Sequence, residues 1–229
     1  PAAKAPAAKA PAAAHPEIEG MSRARLARIG SVMQAEIAKG TVPGAVTLIA
    51  RNGRIVHFEA HGYADSAKSQ PLRKDAIFRI ASMTKPIVTT AAMMLVEQGR
   101  MKLNDPISQW LPEMKDLKVE TRRADGTTED VPAVRPITVQ DLMRHTSGLT
   151  YSFGGARSDR IRDMYIAEDI ETQKGDVTSD EMVKRLGKIP LVHQPGTAFE
   201  YSVSIDVLGI LMERVAGKPL DKLIAEMIT

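Results

Sequence analysis

The chain contains no cysteine. Disulfides, thiolate metal sites and a cysteine nucleophile are therefore excluded. The absence fixes no compartment, because reducing and oxidising spaces both hold cysteine-free proteins. Aromatic residues are scarce, at 4%, and net charge is only +3, with two of the cations, Lys4 and Lys9, in the N-terminal tail. No basic stripe is interleaved with aromatics, so nothing points to a nucleic-acid partner. No apolar run approaches the ~18 residues that a membrane span requires. The five histidines, His15, His57, His61, His145 and His193, show no metal-ligand spacing. There is no phosphate-binding loop, no dinucleotide fingerprint and no G-x-S-x-G elbow, so no metal or cofactor is called for.

What is present is ordinary for a globular protein: 43% apolar and 26% charged residues over 229 positions. That length suffices for one large domain or two small ones. Residues 1–16 repeat Ala, Pro and Lys without a large apolar side chain, and a tail over residues 1–20 is expected to be disordered. Such a tail suits an exported protein that has lost its leader, and equally a cytoplasmic tether. Order is expected from Met21, where Leu26, Ile29, Met33 and Ile37 fall at helical spacing between Ser22 and Gly40. Two β-rich runs, 45–51 and 54–61, flank Asn52-Gly53, a strong hairpin signal. Residues 21–80 thus read as the first part of an α/β domain, and 81–229 as a mainly helical domain.

Within the second part, an apolar helix is expected from about Ser82 to Gly99, with Pro86 limiting how far upstream it starts. Residues 118–136 read as a loop or small hairpin around Asp125-Gly126. Thr138 with Asp141, and Thr178 with Glu181, have capping-box spacing. A last clear helix is expected over 202–216, with Ile205, Leu208, Leu211, Met212 and Val215 on one side. A lone hairpin is marginal, and no further strands for its sheet are legible after residue 61. The natural polypeptide is therefore expected to continue past Thr229 and to supply them, from the same chain or a complementing one.

Three residues carry the chemical argument. Ser82 and Lys85 stand three apart, which puts hydroxyl and amine on one face of a helix. A helix N-terminus there favours a developing oxyanion and disfavours an ammonium. A neutral Lys85 would take the Ser82 proton, which asks for roughly 4.6 kcal/mol of differential interaction to bring the amine from about 10.4 to 7. Tyr201, between a Pro195-Gly196 loop and a helix, can serve beside a Lys as a proton shuttle. Tyr151 heads the same short pattern, Tyr-Ser-x, and reads as core or as part of the site lining. His145 reads as a helix C-terminus followed by Gly148.

The motifs occur in an informative order. Ser82-Met83-Thr84-Lys85 is followed by Asp105-Pro106-Ile107 with Leu111-Pro112. Then come Pro136-Ile137-Thr138-Val139 with Leu142 through Leu149, and Pro195-Gly196-Thr197 with Tyr201-Ser202. Over about residues 22–229 the chain resembles the serine β-lactamase-like superfamily, most of all the family VIII carboxylesterases, relatives of class C β-lactamases and DD-peptidases. The resemblance implies an α/β plus all-α fold, an antiparallel sheet flanked by helices with a helical domain, here without its C-terminal strands. It implies acyl-enzyme chemistry on a small ester, with Ser82 as nucleophile, Lys85 as its base and Tyr201 protonating the leaving group. Tyr151 and Val203 are expected against the substrate. Val203 stands where lactamases carry an amide-holding Asn, which argues against efficient β-lactam hydrolysis. The family's third motif, on a late strand that completes the oxyanion hole, is not in the sequence; one such donor is worth about 2.7–4 kcal/mol. A β-lactamase, DD-peptidase or acyltransferase, and a catalytically silent binding homologue, remain the alternatives.

Overall fold

A computed structural model describes residues 17–153, 158–171 and 177–228. Most of the Ala/Pro/Lys tail lies outside the described residues. The chain divides into two compact units, one ending at Arg79 and one beginning at Ile80.

In the first unit, short strands β1 (Glu17–Ile18) and β2 (Met21–Ser22) pair through a turn at Glu19-Gly20. Order thus begins earlier than Met21, and residues 17–20 are not part of a tail. The reason is a tether the sequence does not advertise: Glu19 accepts hydrogen bonds from Arg54 at 3.0 Å and Asn52 at 3.3 Å. Helix α1 (Arg23–Ala38) starts on Ser22, whose hydroxyl accepts from the Arg25 amide at 3.4 Å. Strands β3 (Gly44–Arg51) and β4 (Arg54–Gly62) form an antiparallel pair in which Arg51 faces Arg54. Asn52 and Gly53 both take positive φ, 52° and 73°. That is the type I′ turn whose twist matches the strands, and the Asn-Gly pair is there because it tolerates it. Among the described residues this sheet has only these two strands.

The second unit is built around helix α6 (Ser204–Ala216). It packs on α2 (Thr84–Glu97), α3 (Val139–Met143), α5 (Ser179–Leu186) and α7 (Leu220–Met227). Surrounded this way, α6 buries Ile205, Val207, Leu208, Ile210, Leu211 and Met212, and not one face alone. A helix apolar nearly all round belongs at the centre of a core. It starts two residues later than expected and ends at Gly217 in the left-handed region, with Pro219 beyond. Helix α4 (Asp159–Ala167) and a hairpin of β5 (Lys118–Arg122) with β6 (Thr128–Pro132) complete the unit.

Helix α3 is short but strongly capped. Thr138 Oγ1 accepts from the Asp141 amide at 3.2 Å, and Asp141 accepts from the Thr138 amide at 2.9 Å. Asp141 also accepts from Arg135 at 2.6 and 3.0 Å and from the Thr146 hydroxyl at 3.0 Å. Burial pushes this carboxyl up, but the Arg135 guanidinium and the Thr138 and Thr146 donors outweigh it and hold it below the usual range. Asp141→Asn would turn one acceptor into a donor facing donors. We expect a loss of about 2–3 kcal/mol, read by urea unfolding at neutral pH. Because the folded-state pKa is depressed, the carboxylate's stabilisation is present above the unfolded value and fades as pH falls through the folded one. The gap between native and variant should therefore shrink in acid.

After α3 the chain runs back against residues 192–203. Val192 N–H donates to Gly148 O at 2.9 Å, Gly196 N–H to Thr146 O at 2.7 Å, and Glu200 N–H to His145 O at 2.8 Å. Gly148 sits at φ 87°, and a Cβ there would lie 2.2 Å from the His193 carbonyl oxygen. Only glycine admits this approach. The zipped pair of segments is what delivers Tyr201 to its place.

Candidate active site

Ser82 lies in a 3₁₀ turn, Ala81–Met83, that runs directly into α2. The α-helix thus begins at Thr84, two residues later than the sequence suggests, because Ala81 takes φ 45° and breaks the helical path. Pro86 is the third residue of α2, where its missing N–H is one of those that go unpaired in any helix. Lys85 is one turn on from Ser82, and its Nζ donates to Ser82 Oγ at 3.4 Å. The two line a cavity of about 360 Å³ shared with Val88, Ile205, Leu220 and Asp206.

Tyr201, 119 residues further along, donates its hydroxyl to the same Ser82 Oγ at 2.7 Å. Lys85 Nζ stands 4.9 Å from the centroid of the Tyr201 ring and 5.9 Å from that of Tyr151. The two phenol rings are 5.7 Å apart, and Tyr151 stacks on Phe153 at 4.7 Å. The structure therefore brings Ser82, Lys85, Tyr201 and Tyr151 together. Val203 is placed differently: it is 2% exposed, belongs to the core, and lines the neighbouring cavity under Tyr151 and Phe153 rather than that of Ser82. It is the N-cap of α6, and that position turns its side chain inward.

The electrostatics reverse one expectation. Burial lowers the Lys85 ammonium, but the closeness of the Tyr201 and Tyr151 phenols outweighs that, and the net shift is upward from the ordinary lysine value. Tyr201 moves the other way. Its hydrogen bond with Ser82 and the nearby Lys85 amine lower it below the ordinary phenol value, against a smaller effect of burial. A neutral Lys85 is thus not what these surroundings favour.

Two further residues lie near the site. Asp206, on α6, lines both cavities. Asp206 is exposed at the surface, yet the groups packed around its carboxyl strip part of its hydration and raise it, partly offset by the Lys85 charge. Its signal was an acidic side chain inside the apolar run Val203–Leu211. His145 is not a plain helix end: its ring lies 4.7 Å from that of Tyr201, centroid to centroid.

Known proteins resemble this chain along most of its length. A profile of the beta-lactamase family matches residues 29–229. Esterase EstB of Burkholderia gladioli is 38% identical over 207 residues, which cover 87% of this chain and 49% of EstB. Lovastatin esterase of Penicillium rubens is 32% identical over 194 residues, 83% of this chain and 47% of that protein. The solved structure of EstCE1, described as a hydrolase with promiscuous acyltransferase activity, superposes with a TM-score of 0.74 at 35% identity. The match covers 89% of this chain and 50% of EstCE1. The chain spans about half the length of the curated relatives it matches. The ordered motifs, the helical unit around α6 and a family match that runs from residue 29 to residue 229 lead to one conclusion: this chain belongs to the beta-lactamase family.

Proposed function

We propose that the chain carries the acylation machinery of a serine hydrolase acting on short-acyl carboxylic esters. One observation carries this reading: a single oxygen, Ser82 Oγ, lies within hydrogen-bond reach of both the Tyr201 hydroxyl at 2.7 Å and the Lys85 amine at 3.4 Å. EstB and lovastatin esterase, both named as esterases, support the choice of ester.

The directions of the two shifts support a division of roles. Tyr201, lowered below an ordinary phenol, takes the Ser82 proton as Oγ attacks the ester carbonyl carbon. Lys85 remains an ammonium beside the ring and holds the phenolate. The tetrahedral intermediate collapses, the C–O bond to the alcohol breaks, and Tyr201 returns the proton to the departing alkoxide. Water then repeats the sequence on the acyl-enzyme and frees Ser82. The Ser82 amide, in the 3₁₀ turn that leads into α2, is one donor for the oxyanion. An alcohol in place of water gives acyl transfer through the same intermediate, the behaviour ascribed to EstCE1.

The test uses the full-length polypeptide that carries this chain. Short-chain p-nitrophenyl esters should be turned over and a chromogenic cephalosporin left essentially intact. A phosphonate ester should add one equivalent to Ser82, located by peptide mass spectrometry. Complete inactivation with the adduct elsewhere, or cephalosporin turnover exceeding ester turnover, would overturn the assignment.

A further inference from the structure

His145 does three things at once around Tyr201. Its own carbonyl accepts from the Glu200 amide at 2.8 Å, and its ring Nδ1 accepts from the Ser202 amide at 3.2 Å. The amides on both sides of Tyr201 are therefore held by one residue. The imidazole also stands 4.7 Å from the Tyr201 ring at a 37° tilt, and 5.9 Å from Phe199 edge-on. An amide N–H can only donate, so Nδ1 carries a lone pair and the proton of the neutral ring sits on Nε2.

The arrangement is held at a local cost. His145 takes φ 54° and is 8% exposed, and a buried non-glycine residue in the left-handed region persists only where its surroundings over-determine it. Those surroundings are visible. Ser202 Oγ lies 3.4 Å from Nδ1 and 2.7 Å from Ser204 Oγ, which lies 2.8 Å from Ser147 Oγ. The three hydroxyls are fully buried and pin the segment after Tyr201 to the loop after His145.

We propose that His145 is the positioning residue for the Tyr201 phenol, clamping the backbone on either side of it and backing its ring so that the hydroxyl meets Ser82. This rests on the Ser82–Lys85–Tyr201 reading above. His145 touches neither Ser82 nor, in that mechanism, the ester. It acts by fixing a phenol that is itself exposed to solvent.

The substitutions that separate the parts of the clamp are His145→Gly and His145→Asn. Both tolerate the left-handed backbone. Asn carries its side-chain oxygen as many bonds from Cα as Nδ1, so it keeps an acceptor for Ser202 and loses only the ring. In the full-length protein, turnover is divided by the amount of Ser82 that a phosphonate can label to completion. With p-nitrophenyl butyrate, His145→Gly should lower kcat by about 10²-fold with KM little changed, the size expected when a catalytic group is misplaced by about 1 Å. His145→Asn should recover part of that loss. The same kcat in both variants as in the parent overturns the proposal. So does a fall in labelable Ser82 that accounts for all lost turnover, since His145 would then serve folding and not the phenol. Tyr201→Phe is the control: turnover lost there yet kept in the His145 variants removes only the clamp. Turnover that survives Tyr201→Phe removes the underlying reading and the clamp with it.

Discussion

Ser82→Ala should abolish ester turnover in the full-length protein, by roughly 10⁵–10⁶-fold in kcat, the scale seen when a serine nucleophile is removed from a working constellation. The size follows from what remains. Lys85 and Tyr201 would still be in place, and the ester would still bind, but no oxygen would stand where both of them point. The Ser152 hydroxyl is already engaged by Glu171, so it is no substitute. Residual activity would come from binding and polarisation alone. The substitution should also be structurally quiet. Ser82 is exposed, and exposed changes of this kind usually alter stability by less than about 0.5 kcal/mol. Unfolding curves that overlay while turnover vanishes would mark a chemical loss. A pre-steady-state burst of p-nitrophenolate in the parent, missing in the variant, would show that the lost step is acyl transfer to Ser82. Turnover by the alanine variant within about tenfold of the parent would reject the nucleophile, because removing the attacking oxygen from a working constellation costs far more than that.

Much of this was written locally. The Ser82–Lys85 spacing places two side chains on one helical face whatever the tertiary fold does. Asn52-Gly53 dictates its turn, and the Thr138–Asp141 box needs only four residues. The rest depends on segments that sequence distance hides. Tyr201 reaches Ser82 because two loops zip together through Gly148, and no period or motif announces that pairing. His145 looked like a helix end because its neighbours in sequence are a helix end; its neighbour in space is Tyr201. Val203 was legible as a missing donor but not as a core residue, since its inward direction is set by α6. The charge state of Lys85 was the hardest. Spacing gives a distance to Ser82, whereas the sign of the shift comes from two phenols in distant parts of the chain.

That sign has a measurable consequence in the pH profile. Tyr201 is lowered and Lys85 raised from their ordinary values, so the ammonium–phenolate pair is the working state between the two. Below the Tyr201 pKa the phenol is protonated and cannot accept from Ser82; above the Lys85 pKa the phenolate loses its counter-charge. We expect kcat/KM for a p-nitrophenyl ester to rise with pH to a midpoint below the ordinary phenol value and to hold until beyond the ordinary lysine value, both limbs belonging to the coupled pair. Lys85→Ala removes a cation beside the phenol. The phenolate is then less stable, its pKa must rise, and the acidic limb should move toward higher pH. At neutral pH the rate should fall by about 10²–10⁴-fold, the range for losing an acid–base partner. Tyr201→Phe should erase that limb and lose as much or more. A neutral lysine base predicts the opposite pattern. Its limb would sit near 7, would survive Tyr201→Phe and would disappear in Lys85→Ala. Profiles of the three proteins with one substrate, fitted for the position of the acidic limb, decide which of the two side chains takes the Ser82 proton.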